Sequence, residues 1–175
     1  SDYRLHFTSN HDENSWKGCA RERLGDAVKT FAALSSTIEG MPLLYGGQEA
    51  GLDKRLKFFE KDTIIWDNLE LSNFYKQLFN LKKDNQALWN GNYGGNIEII
   101  SSREDSLGFS FIRRKHENKV ISIFNLSNKK IELELNSANL KGIYNSVFTN
   151  DEKIFNENEI LELDPWQFYI YTNKN

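Results

Sequence analysis

Three consecutive polar residues, Asn10, His11 and Asp12, are the part of this sequence best suited to chemistry. They come shortly after residues 3–7, a short stretch with the pattern of a strand, and are separated from it by Thr8 and Ser9. A carboxylate beside an imidazole can hydrogen-bond sugar hydroxyls and stabilise an oxocarbenium-like transition state, the chemistry on which glycosidases depend. An Asn-His-Asp turn can equally cap the next helix, so the spacing alone leaves both interpretations open.

The first half of the chain alternates between the patterns of strand and helix. After the strand at residues 3–7, apolar residues recur at helical spacing from Leu24 to Ile38. Gly40 follows at a position where a helix commonly ends. Residues 41–45 form a compact apolar run, which predicts a second strand. This stretch therefore predicts a strand, an amphipathic helix and another strand.

A long loop, residues 46–67, separates the second predicted strand from a further helix. Residues 67–70 have the spacing of a capping box and predict the start of that helix. Its apolar face and its basic last turn comprise Leu71, Phe74, Leu78, Leu81, Lys82 and Lys83. Because two strand-helix units follow one another directly, their strands are predicted to be parallel.

The second half of the chain changes to the alternating pattern of β-strands. From about Asn92 onward apolar residues recur at every second position, as in Leu107, Phe109 and Phe111. Residues 120–124 form a nearly continuous apolar run, and turn-forming residues separate the strands. This half therefore predicts an antiparallel β-sandwich or barrel.

Composition excludes several classes of function. A formal net charge of −3 offers no basic surface for nucleic acid, and the sequence has no run of about 18 apolar residues to span a membrane. Cys19 is the single cysteine and cannot form an internal disulfide, and the three histidines lack the spacing of a zinc site. No metal or other cofactor is predicted. Localisation stays open, because any signal peptide of a longer protein would lie upstream.

Two strand-helix units are too few to make a stable domain by themselves. Their strands would have unpaired edges, and their helices would expose apolar surface to water. The last two units of a (β/α)₈ barrel, which needs about 250 residues in all, would have this pattern. We therefore expect a missing N-terminal barrel region of the same protein to cover these surfaces. Packing on the β-domain, or on a second copy of the chain as a homo-oligomer, is the alternative.

Two sequence segments resemble those of a known enzyme family. Residues 7–12 read Phe-Thr-Ser-Asn-His-Asp, which resembles the Phe-x-x-Asn-His-Asp segment of the α-amylase family, glycoside hydrolase family 13. Residues 40–49 are similar to that family's Gly-x-Pro-x-x-Tyr-x-Gly-x-Glu segment on the eighth barrel strand. Further similar stretches, which extend the resemblance over essentially the whole chain, are residues 58–62, 65–66, 86–88, 91–93, 125–127 and 161–166.

The resemblance implies roles for individual residues. Asp12 matches the family's third catalytic carboxylate, which stabilises the transition state without attacking the substrate. His11 and Asn10 match the substrate-binding residues beside it. Gln48 and Glu49 match residues whose role is mainly to support the site and its loop. We therefore predict one catalytic residue, two substrate-binding residues and two supporting residues from these segments.

The family's other two catalytic carboxylates have no match in this sequence. Its nucleophilic aspartate and acid/base glutamate belong to segments on the fourth and fifth barrel strands. Retaining hydrolysis needs two carboxyl groups about 5–5.5 Å apart, and the adjacent Asp12 and Glu13 are not expected to form that pair because loop neighbours point in different directions. The chain alone is therefore predicted to be inactive. Arg55 and Trp16 lie in loops that would overhang the sugar cleft, and either is predicted to bind substrate. A solvated side chain is the alternative for Arg55.

The resemblance implies a fold that combines α/β and all-β parts. Residues 1–90 are predicted to form strands 7 and 8 of a catalytic (β/α)₈ barrel with their helices, and residues 91–175 an antiparallel β-sandwich domain. The implied function is that of a C-terminal fragment of a retaining glycoside hydrolase acting on α-glucosidic bonds of starch, glycogen or maltooligosaccharides. A non-catalytic carbohydrate-binding or scaffold relative is the alternative, and the choice between α-1,4 and α-1,6 bonds stays open.

Overall fold

The structure of the protein, a computed structural model, describes residues 3–101 and 106–173. The N-terminal part contains β1 (Leu5–Phe7), α1 (Ala20–Leu24), α2 (Val28–Thr37), β2 (Met41–Leu43) and α3 (Ser72–Asp84). The C-terminal part contains β3 (Ile97–Ile99), β4 (Gly108–Lys115), β5 (Asn118–Asn125), β6 (Ile131–Asn136), β7 (Gly142–Ser146), β8 (Glu152–Phe155), β9 (Asn158–Leu163) and β10 (Phe168–Asn173). None of the described helices is long and apolar enough to cross a membrane.

The first two strands pair in parallel, as predicted. Leu5 lies opposite Met41 and Phe7 lies opposite Leu43. A parallel pair needs a crossover connection, which α1 and α2 supply here. In the described part of the chain β1 and β2 pair only with each other, so the outer edge of each strand has no neighbour there.

The helices between these strands differ from the prediction in where they begin. The single helix expected from Leu24 onward is two helices, with a 3₁₀ turn at Gly25–Ala27 between them. The first helix starts earlier because Cys19 and Glu22 form a capping box: the backbone N–H of Cys19 donates to the Glu22 carboxylate at 2.8 Å. Gly25 then adopts a left-handed φ of 52°, which interrupts the helical path.

The capping box predicted at residues 67–70 does not form. The helix α3 begins at Ser72, and Leu71 at its N-cap position makes no side-chain capping bond. The side chain of Leu71 is buried in the core, so tertiary packing sets the start of this helix. Lys82 and Lys83 lie in the last turn, as predicted.

The C-terminal part is an antiparallel sandwich, which confirms the prediction for this half. One sheet has the strand order β3-β4-β5-β10-β7-β8, and a second sheet pairs β6 with β9. Ile112, Ile121 and Leu133 belong to the core between the two sheets. Phe111 and Phe124 belong to a second core that includes residues of α2 and α3. Because β5 is covered on both faces, residues 120–124 are all buried and, apart from Ser122, all apolar.

A buried arginine joins the two parts of the structure. Arg113 on β4 is only 1% exposed. Its guanidinium donates to the backbone carbonyls of Gly95 at 2.8 Å, Thr37 at 3.0 Å, Ile38 at 3.1 Å, Leu88 at 3.4 Å and Trp89 at 2.7 Å. Burial lowers the pKa of Arg113 to about 10, an effect that the nearby Glu39 partly offsets. The arginine therefore binds the C-terminal end of α2 to the β-sheet through carbonyl groups.

The free energy of unfolding depends on pH in the alkaline range because of Lys82. Its ammonium group donates to the carbonyl of Leu88 at 2.7 Å, and burial, with a smaller effect of Arg113, lowers its pKa to about 8. Below pH 8 both the folded and the unfolded protein hold this proton. Between that value and the usual lysine pKa of about 10.5, the unfolded state binds more protons, so the contribution of Lys82 to stability rises with pH.

From about pH 7 to pH 9.5, we expect the free energy of unfolding of the wild type to rise relative to that of Lys82→Met. Urea unfolding followed by circular dichroism at both pH values measures this difference. The comparison cancels the titration of Arg113 and of the tyrosines, because both proteins share them. A difference that is the same at the two pH values would contradict the lowered pKa of Lys82.

Candidate functional site

The polar cluster of the sequence lies at the C-terminal end of β1. The side chains of His11 and Asp12 are 69% and 61% exposed, and His11 Nε2 lies 3.6 Å from Asp12 Oδ2. Within the described residues the Asp12 carboxylate accepts no hydrogen bond. An exposed carboxylate with free acceptor positions beside an imidazole can bind the hydroxyl groups of a ligand.

Asn10 is the helix-capping member of this cluster. Its side-chain oxygen accepts the backbone N–H of Glu13 at 2.8 Å, and its carbonyl accepts the N–H of Asn14 at 2.9 Å. These bonds start a π-helical turn, Glu13–Lys17. Asn10 therefore acts as the cap of a helical turn, as one of the two interpretations of the sequence predicted. The π-helical turn leaves His11 and Asp12 at the surface. A substrate contact of Asn10 stays a prediction.

The neighbouring carboxylate, Glu13, is occupied by ion pairs. Its two oxygens lie 3.1 Å from Lys17 Nζ and 3.3 Å from Arg23 Nη1. Arg23 also donates to the carbonyls of Thr8 and Gly18. It therefore connects the residue after β1 to the residue at the end of the following loop. Glu13 thus maintains the shape of the loop and is not available to act together with Asp12.

Asn14 connects the loop after β1 to the loop after β2. The side chain is buried, accepts the backbone N–H of Leu56 at 2.7 Å and donates to the carbonyl of Lys54 at 3.1 Å. Ser15 adds a bond from its hydroxyl to the carbonyl of Leu56 at 2.7 Å. No local pattern in the sequence marks Asn14 as a site residue, because its partners lie about forty residues away.

An exposed group of three aromatic side chains adjoins the His11–Asp12 pair. We call Trp16, Phe58 and Phe59 the aromatic patch. Phe58 stacks on the His11 ring at a centroid distance of 5.9 Å and lies 5.3 Å from Trp16 and 4.8 Å from Phe59. The residues Trp16 and Phe59 are 58% and 84% exposed. The two loops joined by Asn14 therefore present aromatic surface next to the carboxylate.

Asp62 holds the loop that carries Phe58 and Phe59. Its carboxylate accepts Lys54 Nζ at 2.7 Å and the backbone N–H groups of Lys57 at 3.0 Å and Thr63 at 2.7 Å. These donors, Lys54 first, hold the pKa of the Asp62 carboxyl well below its usual range. The loop is therefore closed by a charged hydrogen-bond acceptor that stays ionised at neutral pH.

Gln48 and Glu49 lie beneath the site. The buried side-chain amide of Gln48 donates to the Thr8 hydroxyl at 2.7 Å and accepts the backbone N–H of Tyr45 at 2.9 Å. It thereby links the C-terminal ends of β1 and β2. The Glu49 carboxylate accepts the backbone N–H of Gly47 at 3.1 Å. Gln48 thus connects the two strand ends, whereas Glu49 contacts the backbone of its own loop, and a supporting role of both in the site stays a prediction.

Arg55 pairs with Glu22 and makes no described contact with the His11–Asp12 pair. Its Nε lies 3.1 Å from Glu22 Oε2. The bond from Arg55, and then the one from the Cys19 backbone, lower the pKa of the Glu22 carboxyl. The structure thus brings together His11, Asp12 and the aromatic patch and leaves Arg55 in a separate ion pair, so its substrate contact stays a prediction.

The chain is similar in sequence to Alpha-amylase 2 of Dictyoglomus thermophilum. The two are 24% identical over 164 residues, which make up 86% of this chain and 27% of that protein. The chain therefore spans about a quarter of the length of this curated relative. No protein-family model matches the chain.

Solved structures share the fold. The maltogenic α-amylase AmyB of Thermotoga neapolitana superimposes with a TM-score of 0.79 at 16% identity, over 98% of this chain and 41% of that chain. A complex of AmyP with maltotriose superimposes with a TM-score of 0.63 at 16% identity, over 82% of this chain and 34% of that chain. At these identities the likeness shows the fold alone.

Proposed function

Because this chain is related in sequence and in fold to proteins of the α-amylase family, we propose that it is the C-terminal part of a longer retaining glycosidase. The proposed substrates are the α-glucosidic bonds of starch, glycogen or maltooligosaccharides. The maltotriose bound to AmyP, a neighbour in fold, supports an α-glucan oligosaccharide as the ligand.

The observation that carries this proposal is the placement of Asp12. Its carboxylate is exposed at the C-terminal end of a strand that pairs in parallel, beside His11, and the described residues leave its acceptor positions unused. In (β/α)₈ barrels the catalytic groups lie at this end of the strands. In the proposed mechanism Asp12 binds sugar hydroxyls with His11 and stabilises the positive charge that develops on the sugar ring.

Exposed apolar side chains on and beside β1 and β2 support the proposal that these strands belong to a larger barrel. Tyr3, Leu5, Phe7 and Met41 are exposed, although apolar side chains of a barrel strand are normally covered. The outer edges of β1 and β2 also lack partners in the described part of the chain. We propose that further strands of the same protein cover these surfaces, with residues 1–90 as the barrel end and 91–175 as the C-terminal domain. A second copy of the chain is the other way to cover them.

The chain by itself is proposed to be inactive. Retaining hydrolysis needs a nucleophile and an acid/base about 5–5.5 Å apart. Glu13, the carboxylate beside Asp12 in the sequence, is held by Lys17 and Arg23 and supplies neither group. In the longer protein both groups would come from the upstream region, and Asp12 would act as the third carboxylate.

The test compares this chain with the longer protein encoded by the reading frame that contains it. Both are incubated with maltoheptaose, and the anomeric signals of the products are followed by proton NMR. We expect hydrolysis with retained α-configuration from the longer protein and none from the 175-residue chain. A reading frame without upstream carboxylate segments, or a longer protein that binds maltoheptaose without cleaving it, would overturn the proposal in favour of a binding or scaffold protein.

A further inference from the structure

We propose that the aromatic patch is a stacking platform for one glucose ring of a bound α-glucan, next to the ring that His11 and Asp12 hold. This inference rests on the proposed function, because it names a binding position beside the same carboxylate. The patch joins that site through Phe58, whose ring stacks on His11 at 5.9 Å.

The exposure of the patch has no structural explanation within the described residues. Phe59 is 84% exposed, whereas Phe111 and Phe124 of the same chain are completely buried. Its ring contacts are with the other two members of the patch, at 4.8 Å to Phe58 and 6.1 Å to Trp16. Contiguous exposed apolar surface of this kind is typical of a binding site.

Hydrogen bonds hold the two loops that carry the rings in place without a ligand. Asn14 fixes the loop of Trp16 against the loop of Phe58 through two backbone bonds, and Asp62 closes the second loop from behind through three donors. A platform that is already ordered loses little conformational entropy on binding. The aromatic patch is therefore preorganised for binding.

The chemistry around the patch selects a sugar over a purely apolar partner. A pyranose ring has C–H groups on its faces and hydroxyl groups at its rim, so it needs an aromatic face with polar groups beside it. The patch has Asp12 and His11 at one side and the Lys57–Glu60 pair, with Nζ and Oε2 2.7 Å apart, close to Phe58 and Phe59 in the same loop. An apolar protein segment would leave these charged groups without water, at a cost in free energy.

The test is a titration of the 175-residue chain with maltoheptaose, read by isothermal calorimetry, with cellohexaose as the β-linked comparison. We expect saturable binding of maltoheptaose alone and an affinity about tenfold lower for Phe59→Ala, the loss of one aromatic stacking contact. Tyr93→Ala is the matched control, because Tyr93 is 68% exposed on a separate 3₁₀ turn, Gly91–Tyr93. Circular dichroism checks that each variant keeps the wild-type fold.

Two results would overturn the platform: wild-type chain that does not bind maltoheptaose, or equal affinities for wild type and Phe59→Ala. A third would assign the patch to upstream chain, namely a longer protein that Phe59→Ala destabilises without any change in affinity. These failures differ from failure of the proposed function. Only the platform is wrong if the longer protein cleaves maltoheptaose and Phe59→Ala leaves its affinity for maltoheptaose unchanged. Only the hydrolase proposal is wrong if Phe59→Ala weakens binding of maltoheptaose but the longer protein does not cleave it.

Discussion

Replacing Asp12 with asparagine is expected to lower kcat of the longer protein on maltoheptaose by on the order of 10²–10³-fold. The substitution keeps the shape of the side chain and removes the negative charge that would face the developing oxocarbenium ion. Because the Asp12 side chain is exposed and the described residues give it only the His11 contact, the fold should not change. Initial rates and the thermal unfolding midpoint, measured on the same preparations, separate catalysis from stability.

Asp84→Asn is the control for the loss of one carboxylate charge. Asp84 is exposed at the C-terminal end of α3 and makes no described contact with His11, Asp12 or the aromatic patch. This variant should keep the wild-type kcat and unfolding midpoint. If Asp12→Asn retained wild-type kcat, Asp12 would have no catalytic role, and the resemblance would reflect the fold alone.

Replacing Arg113 with methionine is expected to lower the free energy of unfolding by roughly 3–5 kcal/mol. Methionine fills much of the volume but leaves the carbonyls of Gly95, Thr37, Ile38 and Trp89 without the donor that now binds them, whereas Leu88 still accepts from Lys82. Each buried acceptor without a partner costs about 1–3 kcal/mol, although some will recover water. The end of α2 is among the released groups, so the two parts of the structure should loosen together.

Urea unfolding followed by far-ultraviolet circular dichroism near neutral pH measures this loss. Arg114→Met is the matched control, because Arg114 is the next residue on the same strand, is exposed, and its side chain has no hydrogen bond or ion pair among the described residues. That variant should change stability by no more than about 0.5 kcal/mol. Arg113→Lys should lose most of the stabilisation as well, since one ammonium group cannot replace a planar guanidinium with five donors. Equal effects of the Arg113 and Arg114 substitutions would show that the carbonyl contacts contribute nothing.

The sequence predicted Trp16 as a substrate-contacting loop residue, but it did not predict that Phe58, Phe59 and Asn14 join it in one site. Trp16 and Phe58 are about forty residues apart, and an aromatic residue in a sequence indicates burial more often than exposure. Only folding shows that these rings are exposed together, because Asn14 brings their loops into contact. Arg113 was missed for the same reason, since an arginine in an alternating strand pattern looks like a solvent-facing residue.

The sequence by itself determined the elements that local periodicity encodes: the parallel β1–β2 pair, the amphipathic α2 and α3, and the antiparallel sandwich. It also located the Asn10–Asp12 cluster after β1, because a short motif needs no distant contact to be read. Tertiary structure alone decided that α3 begins at Ser72, that Arg113 binds five carbonyls and that the aromatic patch adjoins His11. These features depend on contacts between residues far apart in the chain, and such contacts leave no periodic trace in the sequence.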